Sequence, residues 1–82
     1  MYKVAVSLVS SSLQNLTRGV NKLIQKCHKN GINCDIVGFN ERGVGANNSK
    51  SFHSVMLELT SSESIECIKY FHYNLDEDTL DF

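Results

Sequence analysis

The stretch 11–30, SSLQNLTRGVNKLIQKCHKN, decides the fold. Leu13, Leu16, Val20, Leu23, Ile24 and Cys27 recur at three- and four-residue steps and form one apolar stripe along a helix. Ser11 with Gln14 three residues later reads as a capping box, and Gly31 as the left-handed stop. A helix of this kind draws its stability from what its stripe packs on, so the flanking segments must supply a surface.

They read as strands. Residues 2–9 alternate, with Tyr2, Val4, Val6 and Leu8 on one side and Lys3, Ala5, Ser7 and Val9 on the other. A second strand is predicted from Ile32 to about Asn40, with Ile32, Cys34 and Ile36 on one face and Asp35, Val37 and Phe39 on the other. Residues 41–51, rich in Gly, Asn and Ser, read as a long loop. A third strand follows from Phe52 to Leu59, turning Val55, Leu57 and Leu59 to the core and Phe52, Met56 and Glu58 away. Thr60 and Glu63 are spaced as a second capping box, which predicts a helix ending near Tyr73 with Ile65 and Ile68 on its buried stripe. Residues 75–82 form an acidic tail or a short fourth strand. The expected fold class is α+β. It is a two-layer, ferredoxin-like split β-α-β-β-α(-β) sheet with two helices on one face, built as one domain over 1–82.

An 82-residue chain buries only ~60–65% of its unfolded surface, so the core is small. Its 41% hydrophobic and 21% charged residues are those of a folded chain, and no apolar run approaches the length of a membrane span. Polar residues interrupt the N-terminal apolar run, which therefore reads as a strand rather than a leader. With Cys27, Cys34 and Cys67 odd in number and widely spaced, reduced thiols and a cytoplasmic location are expected.

Charge is unevenly spread. Residues 1–50 carry Lys3, Arg18, Lys22, Lys26, Lys29, Arg42 and Lys50 against Asp35 and Glu41, a balance of +5. Residues 51–82 carry Lys69 against Glu58, Glu63, Glu66, Asp76, Glu77, Asp78 and Asp81, a balance of −6. Arg18, Lys22, Lys26 and Lys29 share one side of the main helix, and Arg42 with Lys50 extends the basic set. Such a stripe neutralises phosphates in nucleic-acid binders. The plainer reading is a solvated helix face, favoured by a whole-chain charge of −1.

Gly43-Val44-Gly45 is a GxG element, but Asn48 stands at the third glycine position and a strand follows, so neither a dinucleotide loop nor a phosphate-binding loop is indicated. The cysteines and His28, His53 and His72 lack the close pairs of a structural zinc site. Cys, His and acidic residues lie on separate elements with no catalytic signature. No enzyme activity, cofactor, metal or small-molecule ligand is expected.

The remaining feature is the sheet face away from the helices. The alternation places Val37, Phe39, Phe52 and Met56 there, an apolar set suited to an interface. The leading expectation is a non-enzymatic protein-binding module. It would act as a small regulator, inhibitor or adaptor, with a protein partner or a second copy as its target. The alternative is a nucleic-acid-binding regulator using Arg18, Lys22, Lys26, Lys29, Arg42 and Lys50.

Overall fold

The computed structural model describes residues 1–44, 50–68 and 71–77. The chain runs β1 (Tyr2–Ser10), α1 (Leu13–Lys29), β2 (Asn33–Val44), β3 (Lys50–Ser61) and β4 (His72–Asn74). The four strands form one mixed sheet in the order β2-β3-β1-β4. β3 is antiparallel to both β1 and β2, so β1 and β2 run the same way with β3 between them, while β4 lies parallel to β1.

Alternation along β1 and β3 sets the core. Val6 faces Leu57 and Leu8 faces Val55 in register, and all four are buried beneath α1 with Leu59. From α1 come Leu16, Leu23 and Cys27, spaced seven and four residues apart. Leu13 and Ile24, expected in the same stripe, are exposed, and Gly19 is buried instead. The stripe is narrower than the sequence suggests because the helix meets the sheet over a single seam.

The N-cap is Ser12, one residue later than expected, with its hydroxyl accepting the Asn15 N–H at 3.2 Å. At the other end Asn30 caps α1, and Gly31 takes the left-handed conformation at φ +68°.

Two expectations need correction. The second helix over 60–73 is not formed. Thr60 and Ser61 belong to β3, where Thr60 pairs with Lys3 and Ser61 with Tyr2. The Ser61 hydroxyl, in place of a helix cap, accepts the Glu63 N–H at 3.1 Å, closing a local turn. Three serines and two β-branched isoleucines between 61 and 68 give weak helical drive, and the described part of the segment stays in turns. Ile65 and Ile68 are buried as expected, but from an irregular backbone. The described residues therefore hold one helix, and the two-helix ferredoxin-like layout is not reached. With no helix to return the chain, β4 enters alongside β1 in the same direction, through Phe71 O accepting the Ser7 N–H and Val9 O accepting the Leu75 N–H.

The predicted loop 41–51 is mostly sheet. β2 continues to Val44 and β3 starts at Lys50, each strand having 12 residues, while 45–49 lie outside the described residues. β1 stops at Ser10, opposite His53. Beyond that row β2 and β3 pair only with each other, as a two-stranded arm, and the molecule measures 46 × 22 × 16 Å. No helix among the described residues is long and apolar enough to cross a membrane.

Candidate functional site

Among the described strands β2 forms one edge of the sheet and the short β4 the other. The one neighbour of β2 among the described strands is β3, and although α1 packs on β2 as well as on β1 and β3, it leaves part of the β2 surface uncovered. Along this strand Ile36, Val37 and Phe39 are exposed by 57, 56 and 59%. Their placement turns on a bulge. Ile36 opposes Leu57 and Gly38 opposes Met56, leaving Val37 without a place in the ladder. After the bulge the alternation resumes one residue out of phase. Phe39 opposes Val55, a core residue, and so points to the helix side. There its ring stacks on His53, with centroids 6.5 Å apart and planes at 29°. His53 Nδ1 is buried and without a hydrogen-bond partner among the described residues.

The predicted four-residue outer patch is thus divided. Met56 and Phe52 lie on the outer face as expected, Met56 over Gly38, where an added Cβ would approach the Met56 Cβ to 3.7 Å. Phe39 lies on the opposite face, and Val37 sits in the bulge between them. The remaining outer face carries Lys3, Ala5, Ser7 and Val9 of β1, Asp35 and Asn40 of β2 and Ser54, Glu58 and Thr60 of β3, a mostly polar set. The apolar exposure is concentrated at the β2 edge instead. Ile36, on the core face by alternation, joins it because the helix does not reach so far. Nothing in the sequence marks where a helix stops covering a strand.

Electrostatics add to this edge. Asp35 and Glu58 are cross-strand neighbours on the outer face, a like-charge pair that costs stability. Glu58 is engaged by Lys3 at 3.4 Å, and Asp35 has no ion-pair partner among the described residues. With Glu41, also exposed, Asp35 leaves the edge acidic on both sides of the apolar group.

The basic residues behave differently. Arg18, Lys22 and Lys29 are exposed along α1 and Lys26 is half-buried, with no ion pair to any of them among the described residues. Arg42 and Lys50 sit on β2 and β3, near the arm's far end, and their side chains lie outside the described ones. No group of three or more His, Cys, Asp or Glu among the described residues is placed to hold a metal ion.

Ser10 and Asp76 escaped the sequence reading. Ser10 is fully buried and donates its hydroxyl hydrogen to Asp76 Oδ1 at 2.7 Å. Its signal was there in part: Ser10 continues the Val6, Leu8 alternation inward, and a buried hydroxyl needs a partner.

Comparison of the chain with protein-family models, with curated proteins and with solved structures returns no match.

Proposed function

We propose that the chain is a non-enzymatic protein-binding module that takes an extended segment of a protein partner along the free edge of β2. The observation that carries this reading is the trio Ile36, Val37 and Phe39, each more than half exposed on an edge strand that has no second neighbour among the described residues. Edge strands offer a row of backbone donors and acceptors, and natural proteins usually blunt them with charge or proline. Here the bulge interrupts the edge at Val37 and leaves a regular run from Gly38 to Val44 for pairing. Phe39 is the anchor, since aromatic side chains at such edges dominate binding energy. Asp35 and Glu41 on either side favour a partner strand with alternating apolar residues and Lys or Arg near its ends.

The test is selection of extended peptides from a random display library on the immobilised domain, followed by amide chemical-shift mapping. Enriched sequences should be apolar with basic flanks, shifts should concentrate on 38–44, and Phe39→Ser should abolish binding while circular dichroism stays unchanged. Shifts centred on Phe52, Met56 and Ala5 would move the site to the outer face. Self-association by light scattering that Phe39→Ser removes would make the partner strand a second copy.

A second reading rests on the exposed Arg18, Lys22 and Lys29, which have no acidic partner among the described residues. In that reading α1 lies along a nucleic-acid backbone. Lys22→Glu with Lys26→Glu should then remove retention on immobilised RNA or DNA at low salt, and parent retention should fall steeply as salt rises. Absence of retention by the parent at any salt ends this reading.

A further inference from the structure

The ladder of β2 is symmetric about Phe39. With Val37 left out by the bulge, 11 of the 12 residues of β2 are paired to β3, and five of them lie on each side of Phe39. A strand whose midpoint is a large, exposed apolar residue can pair with a copy of itself about a two-fold axis at that point. In the antiparallel register this produces, Phe39 meets Phe39. Asp35 falls opposite Arg42 of the second copy, and Arg42 opposite its Asp35. Glu41 falls opposite Ile36, so no rung sets like charges against each other. The faces agree as well. Positions 35 and 42 oppose Glu58 and Phe52 on the outer face, and Phe39 opposes Val55 on the helix side. Arg42 is the one basic residue of β2, so no other register brings Asp35 opposite a cation of the second copy's strand.

We propose that the occupant of the β2 edge is a second copy of this chain, paired antiparallel about Phe39, so that two four-stranded sheets run on as one. This rests on the reading of that edge as a docking strand and names its partner.

The helices leave room for it. Leu13 and Ile24, 52 and 37% exposed, lie with Val20 on one flank of α1, and Lys22 and Lys26 lie on the other. The right-handed crossover that β-α-β units adopt turns the uncharged flank toward β2. In the dimer the trough between the two helices is floored by Ile36 and Phe39 of both copies and walled by Leu13 and Ile24, with the lysines turned away. Two strongly basic helices therefore come to the same side of one sheet without facing each other's charge.

The test is sedimentation equilibrium of the parent chain and of Asp35→Arg and Arg42→Asp, with circular dichroism to confirm that each is folded. Asp35→Arg removes the like-charge neighbour of Glu58, so it does not weaken the sheet. The parent should dimerise. Each variant alone sets like charges opposite each other on both sides of the axis, and its dissociation constant should rise about tenfold or more. Mixed in equal amounts, the two variants should associate as tightly as the parent, because each then meets its opposite. A measurement on the parent needs no variant. In a mixture of isotope-labelled and unlabelled chains, filtered NMR spectra should show contacts between the Phe39 rings of the two copies. A parent that stays monomeric at millimolar concentration overturns the proposal. If selected peptides still bind along 38–44, the docking edge stands without it, and if they do not, both readings fall. A dimer that lacks the Phe39 contact, or whose two variants either associate alone as the parent does or fail to associate with each other, has its axis elsewhere and also overturns the proposal.

Discussion

The Asp76 carboxylate accepts the backbone N–H of Ser11 on both oxygens, at 3.1 and 3.0 Å, from 65 residues away in the chain. Ser10 adds its hydroxyl at 2.7 Å, and the same hydroxyl oxygen accepts the Ser12 N–H at 3.0 Å. α1 has no acidic residue in its own first turn, so the negative charge that favours a helix N-terminus comes from the turn after β4. One carboxylate thus ties the end of β1 and the start of α1 to the turn that follows β4.

These hydrogen bonds, the Ser10 hydroxyl foremost, hold the Asp76 carboxyl below its ordinary value of 3.8. A depressed carboxyl contributes stability above its unfolded pKa and loses it as pH falls through the folded one. Asp76→Asn should therefore lower the urea midpoint relative to the parent at about pH 6, and the gap should close as pH drops below 3.8. A gap of constant size down the acid limb would mean that the carboxylate charge is not what holds β4.

Much of this architecture is legible in the residues. The alternation of Val4, Val6 and Leu8 and of Val55, Leu57 and Leu59 places two strands and their buried faces, and the Leu16, Leu23, Cys27 spacing places the helix against them. Legibility fails where long-range pairing overrides local pattern. Thr60 and Glu63 match a capping box, but Ser61 is already opposite Tyr2 in the sheet. Gly43 reads as a turn residue, but opposite Ser51 it extends a hairpin. The candidate site suffers most, because one unpaired residue, Val37, reverses the face of Phe39, and the signal for it is slight: Gly38, a lone glycine inside a strand, which marks a bulge without fixing which residue is extruded.

Leu23 is fully enclosed between α1 and the sheet. Leu23→Ala should cost about 2–5 kcal/mol, a large share of the stability available to a domain of this size. Chemical denaturation followed by circular dichroism checks it. A midpoint within experimental error of the parent would mean that the helix seam runs elsewhere.

Gly31 sits at φ +68° with no atom within 4 Å of where a Cβ would stand. The cost of Gly31→Ala is therefore backbone strain alone, about 1–2 kcal/mol. Gly31→Asn should cost less, because Asn tolerates the left-handed region. Equal losses for the two variants would point to a side-chain clash that the geometry does not contain.

The bulge itself can be tested by deletion. Ile36 opposes Leu57 and Gly38 opposes Met56, and Leu57 and Met56 are consecutive on β3. Removing Val37 therefore joins two residues that are already in register, and every other side chain of β2 keeps its face. The protein should stay folded, with its stability within about 1 kcal/mol of the parent. The Phe39 ring should still stack on His53, which through-space proton contacts in NMR spectra would show. Removing Ser54 is the control. β3 has no bulge to absorb that loss, so 50–53 would exchange faces, Phe39 should lose His53 and the pairing of the arm should be lost, while the core from Val55 onward stays in register. If the Val37 deletion loses the arm as the Ser54 deletion does, the bulge is needed for the twist of the arm. If it folds but Phe39 leaves His53, the register has slipped and Phe39 has turned to the outer face. Peptide binding at the β2 edge should then be lost with Phe39 still present, which separates the placement of that side chain from its identity.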